Sequence, residues 1–92
     1  MQVIWIPIKA AANEAAHGVK FVDAATVLND ERALTREDPD SIGEQRFVTL
    51  GRSGEGKLLV VKFTYRDPDV LRIVSVWKAR RRQRASYEEG RS

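Results

Sequence analysis

The chain has 92 residues, 16 Lys/Arg against 13 Asp/Glu, a formal net charge of +3 and no cysteine. That length fits one domain, residues 1–92, around one small core. The absence of thiols excludes disulfides, thiolate zinc sites and cysteine nucleophiles, and a hydrophobic fraction of 42% argues against a disordered chain.

Residues 3–6 are expected to form a short strand. Pro7 then suits a first helical turn, and the alanine-rich residues 9–16 favour a helix that Gly18 ends. Phe21, Ala24, Ala25 and Leu28 recur at helical spacing, so 21–28 forms a second, amphipathic helix. Residues 32–36 make a short strand, 37–43 an acidic loop, 45–50 a strand and 51–56 a glycine-rich hairpin loop. Residues 58–65 are the strongest strand, with Leu59, Val61, Phe63 and Tyr65 on one face. Asp67-Pro68-Asp69 turns the chain into a second strong strand, 71–77. The end, 78–88, is helical with few apolar positions, namely Ala79, Ala85 and Tyr87. Short loops force consecutive strands to run antiparallel. The fold class is therefore α+β: a meander sheet with the first two helices on one face and a basic helix at the end.

The longest apolar run, 58–61, is too short to span a bilayer. The start lacks the basic region of a signal peptide. A cytoplasmic protein without membrane contact is expected. Charge is uneven: residues 1–75 carry 10 Lys/Arg against 11 Asp/Glu, and 76–92 carry 6 against 2. A basic cluster attracts polyanions through counterion release; the bland alternative is a solvated helix face.

His17, the only histidine, lies at the junction of the first two helices. It could act as a general acid or base, or simply favour the helix dipole. Arg46, Arg66 and Arg72 lie on or beside strands, where arginine must be paired or placed at a rim. A rim arginine grips phosphate with two donors at once; the alternative for Arg66 is an ion pair with Asp67, Asp69 or Glu44. Trp77 and Tyr87 flank the basic cluster and could stack on unpaired bases, whereas Tyr65 is expected in the core beside Phe63. Gly51, Gly54 and Gly56 match no phosphate-loop pattern, and no nucleophile elbow is present.

The ordered set of Trp5, Lys9-Ala10, Asn13, His17-Gly18-Val19, Phe21, Ala24-Ala25, Glu44-Gln45-Arg46, Gly51, Leu59-Val60-Val61, Phe63-Thr64-Tyr65-Arg66, Arg72-Ile73-Val74-Ser75, Lys78-Ala79, Arg81-Arg82 and Tyr87 resembles the BrnT toxins of bacterial type II toxin–antitoxin systems. The resemblance covers nearly the whole chain. It implies a RelE-like fold, metal-independent RNA cleavage without a cofactor, and neutralisation by a cognate BrnA-type antitoxin. DNA would be bound only indirectly, through the antitoxin complex. Four positions depart from the family pattern. Ile6 replaces an acidic residue, Ala16 a basic one, Trp77 an arginine and Gln83 a glutamate.

The resulting expectation is an RNA endonuclease in which the substrate's 2′-hydroxyl is the nucleophile. Arg46 and Arg66 would hold the phosphate, and His17 or a pKa-depressed Lys78 would move protons. Arg72, Trp77, Arg81, Arg82 and Tyr87 would bind RNA. The competing expectation is a non-catalytic module whose basic terminal helix docks a protein or nucleic-acid partner.

Overall fold

The structure, a computed structural model, describes residues 1–90. Its elements are β1 (Gln2–Ile4), α1 (Pro7–His17), α2 (Phe21–Val27), β2 (Leu34–Glu37), β3 (Phe47–Arg52), β4 (Leu58–Asp67), β5 (Val70–Lys78) and α3 (Arg81–Glu89). The strands form one sheet in the order β1-β5-β4-β3-β2. The run from β2 to β5 is the expected antiparallel meander. β1 adds a parallel pair, with Gln2 to Ile4 opposite Val70 to Arg72. Loop length did not specify that pairing, because it constrains only strands that follow one another directly.

The local signals act as their chemistry dictates. Pro7 opens α1, and Gly18 ends it at φ +69, with its N–H donated to the carbonyl of Glu14. Phe21, Ala24 and Val27 turn one stripe of α2 into the core. They meet Leu59, Val61 and Phe63 of β4 and Leu71, Ile73 and Val76 of β5. Truncating a buried residue such as Leu59 to alanine would cost about 2–5 kcal/mol.

β4 is buried on both faces. Leu58 and Val60 point away from α1 and α2 and pack with Leu50 and Tyr87, so α3 covers part of the opposite face. The apolar alternation of 58–65 marked only one side as buried. Boundaries also move, two of them with a clear physical cause. Gly51 and Arg52 belong to β3 rather than to the hairpin loop. A Cβ on Gly51 would stand 2.9 Å from Val27 Cγ1 and 3.0 Å from Ala33 Cβ, so the end of α2 rests directly on the strand backbone. α3 begins only at Arg81, because the Ala79 N–H is held by the Leu58 carbonyl and Arg80 is still extended.

Tyr65 is the correction on β4. It is 45% exposed rather than buried, touching Phe47 and Phe63 edge-on at the rim. The register shifts between Tyr65 and Asp67, where the strand leaves the cover of the helices.

Candidate functional site

The face of the sheet that carries α3 is only partly covered, and the register lays its side chains out in rows. Leu34, Leu50, Val60 and Trp77 form the row beneath α3. Arg36, Val48, Lys62 and Ser75 form the next. Thr64 and Arg72 stand opposite each other in the row beyond. This outer face is therefore lined by cations set in an apolar and hydroxylic floor.

One end of the face is built around Glu44. Its Oε1 accepts from Arg72 Nη2 at 3.0 Å and from Arg46 Nε and Nη2, each at 3.4 Å. Two guanidinium groups thus converge on one carboxylate oxygen, the arrangement that also holds a phosphate oxygen. The loop that supplies Glu44 is tied down locally. Ser41 Oγ accepts the Arg46 N–H at 3.0 Å, and Thr64 Oγ1 donates to the Gln45 carbonyl at 2.7 Å. Arg66 is at the same end. It is the unpaired extra residue between Tyr65, opposite Leu71, and Asp67, opposite Val70. Such a bulge re-aims a side chain, and that of Arg66 is exposed with no ion pair among the described residues.

The other end is where β5 loses its edge partner. β1 stops opposite Arg72, and Asn13 of α1 takes over further along. Its side chain bonds both backbone groups of Val76, accepting the N–H at 3.1 Å and donating to the carbonyl at 2.9 Å, and also reaches the Val19 carbonyl at 3.2 Å. This fixes the C-terminal end of α1 against the end of β5. There His17 and Trp77 lie with ring centroids 6.3 Å apart, and Ala16, His17, Trp77, Lys78 and Arg80 line an open groove of about 500 Å³.

The middle of the face is set by Asp38 and Lys62. The Lys62 ammonium lies 3.1 Å from Asp38 Oδ2 and 6.0 Å from the Trp77 ring centroid. The backbone N–H of Asp40 and then the Lys62 ammonium hold the Asp38 carboxyl below its usual range.

The expected site residues therefore fall into separate groups. Arg46 and Arg72 meet at Glu44, with Arg66 at the same end, while His17, Trp77 and Lys78 meet in the groove. Arg72 and Trp77 are five residues apart on β5, roughly 16 Å at strand rise. The sequence-based expectation has Arg46 and Arg66 hold the phosphate that His17 or Lys78 serves; the structure places the two pairs at opposite ends of the face. Arg81 and Arg82 are exposed on α3, and Arg82 borders a groove floored by Leu34, Val48, Leu50 and Val60.

Tyr87 is a correction. It is 5% exposed, packed on Leu50, Leu58 and Val60, and so is not available to stack on a base. Its hydroxyl donates to Asp30 Oδ2 at 2.6 Å, and Arg32 and Arg52 lie 5.8 and 5.5 Å from its ring centroid. Gln83, which replaces the family's glutamate, accepts the Arg80 N–H at 2.8 Å and caps α3.

Sequence reasoning passed over Asn13, Arg36, Asp38 and Lys62 as site residues. The available signal for Lys62 was strand alternation: with Val61 and Phe63 facing inward, Lys62 must face outward. Among the described residues no three His, Asp or Glu side chains gather as a metal centre requires, and no helix is long and apolar enough to cross a membrane.

Comparison with known proteins adds a family and a solved structure. A family model described as "Ribonuclease toxin, BrnT, of type II toxin-antitoxin system" matches residues 5–83. The crystal structure of the Brucella abortus ribonuclease toxin BrnT superposes with a TM-score of 0.65 at 23% identity, covering 88% of this chain and 99% of that one. No curated protein matches.

Proposed function

Because the chain belongs to the BrnT family of ribonuclease toxins of type II toxin–antitoxin systems, we propose that RNA lies across its outer sheet face and is cut at the His17 groove. The observation that carries this reading is the gathering of His17, Trp77, Lys78 and Arg80 around one groove at the end of a cationic face. Trp77 offers a ring face to a base beside the scissile bond. Arg46 and Arg72, with Arg66 near them, hold a phosphate further along the strand, where Glu44 now sits. Arg81 and Arg82 extend the cationic path along α3.

The reaction is transesterification within the substrate. The 2′-oxygen bonds to the adjacent phosphorus as the bond from phosphorus to the 5′-oxygen breaks. One proton leaves the 2′-hydroxyl and one reaches the 5′-oxygen. The products are a 2′,3′-cyclic phosphate and a 5′-hydroxyl. The His17 imidazole moves a proton, and the Lys78 and Arg80 charges stabilise the extra negative charge on the phosphorane. The nucleophile comes from the RNA, so the reaction runs without a metal or cofactor. The cytoplasm is the compartment where RNA is met. A BrnA-type antitoxin covers this face, and DNA is reached only through that complex.

The test is cleavage of a defined RNA by the purified chain in EDTA, beside His17→Ala and Arg72→Ala. Wild type cuts regardless of EDTA. His17→Ala loses about 10²-fold or more in rate while still binding RNA, and Arg72→Ala weakens binding. Full activity in His17→Ala, or activity that EDTA abolishes, overturns the mechanism. A chain that binds RNA but never cuts it favours the non-catalytic module, for which exposed Arg81, Arg82 and Arg84 on α3 provide the docking surface.

A further inference from the structure

Lys62 has no part in the roles above, yet it stands between the two ends of the face. It lies opposite Ser75, one row from Trp77 on one side and one row from Arg72 on the other. Its neighbours in the two rows, Val48 and Val60, offer the ammonium no hydrogen bond. A lysine in such a floor is costly unless something holds it, and Asp38 does so at 3.1 Å from a position that is itself only 7% exposed. Asp38 is fixed in turn. Its carboxylate accepts the Asp40 N–H at 3.1 Å, and its own N–H is donated to the Arg46 carbonyl at 2.8 Å. The Trp77 ring flanks the ammonium on the other side. An ammonium has three donors and Asp38 engages one of them. The Lys62 side chain keeps 27% of its surface open on this face.

We propose that Lys62 is a phosphate-binding residue, held by Asp38 and Trp77, that engages the RNA backbone between the Arg46–Arg72 end and the His17 groove. This rests on the reading of the outer face as the RNA surface. A lysine that merely neutralised Asp38 would need no open surface beside an aromatic ring in line with two other cationic clusters.

The probe is an RNA oligonucleotide with 2′-O-methyl sugars, whose blocked 2′-oxygen cannot attack the phosphate. Its affinity is measured across a salt series for wild type, Lys62→Met and Lys62→Arg, with melting curves for each. Lys62→Met should bind about tenfold more weakly. Its slope of log affinity against log salt should be shallower by about 0.7, the value for one phosphate contact on a single strand. Lys62→Arg should restore most of both. If wild type binds the probe and Lys62→Met binds it equally well with the same slope, the role of Lys62 is overturned and the face stands. If wild type shows no salt-dependent binding, the face is overturned and Lys62 with it. Should Lys62→Met melt early, Lys62→Gln replaces it, with the same two outcomes.

Discussion

Asn13 gives Val76 the two hydrogen bonds that a neighbouring strand would otherwise provide, at 3.1 and 2.9 Å. Val76 is fully buried, so water cannot take over either bond. The amide thereby welds the helix that bears His17 to the strand that bears Trp77.

Asn13→Leu should therefore cost about 2–4 kcal/mol, since it strands two buried backbone groups. In a domain of this size that lowers Tm by roughly 10–25 °C. Thermal unfolding followed by circular dichroism measures it. A shift of only a degree or two would mean that Val76 finds other partners.

Glu44→Gln should tighten binding of non-cleavable RNA, because a carboxylate no longer competes with phosphate for Arg46 and Arg72. The gain should stay within about fivefold, since an exposed ion pair is worth at most about 1 kcal/mol. Fluorescence anisotropy reads the change. Weaker binding would instead mean that Glu44 serves to aim the two arginines.

Arg66→Ala should leave Tm close to wild type, within about 0.5 kcal/mol of stability, because the side chain is exposed at a bulge. Its loss should weaken RNA binding and flatten the salt dependence. Unchanged affinity would remove Arg66 from the interface.

Tyr87→Phe should destabilise the chain by about 1.5–3 kcal/mol, the range for a hydrogen bond to a charged group. Denaturant melts of the variant test this. The same contact sets two pH limits. Hydrogen bonding to Asp30, followed by burial, raises the Tyr87 pKa above its ordinary value of 10.0. The stability it adds is fully present below about pH 10 and is lost as the pH climbs through the raised pKa.

Acid should weaken the fold through Asp30 and Asp38. Burial of Asp30 opposes its charge, but the Arg52 N–H, the Tyr87 hydroxyl and the Arg32 N–H and guanidinium outweigh it, and the net pKa falls below 3.8. Asp38 is lowered from the same value by the Asp40 N–H and Lys62. Stability from both is present above about pH 4 and is lost as pH falls through the depressed values. In Asp30→Asn, unfolding below pH 4 should be less steep than in wild type, as read from acid titrations by tryptophan fluorescence.

The strands and helices were legible because periodicity and glycine chemistry act locally: Gly18 ends α1 and Leu59, Val61 and Phe63 face the helices, as their spacing implies. The site was legible only in part. Arg46, Arg72, His17 and Trp77 could be singled out by residue type, but their division between two ends of one face depends on register. Tyr87 reads as a base-stacking ring because it flanks the basic cluster and α3 has few apolar positions to mark a buried face. Its partner Asp30 is 57 residues away. Lys62 was hidden inside the strongest strand, where a lone cation reads as an interruption of the pattern.

The parallel pairing of β1 with β5 orders events during synthesis. While the chain leaves the ribosome, Gln2 to Ile4 have no strand to join until Val70 to Arg72 exist. Val76, which receives Asn13, comes later still. The hairpins of the meander can close as soon as they are made. The groove around His17 cannot form until translation has passed Arg80. A chain still being translated therefore lacks the groove proposed to cut RNA.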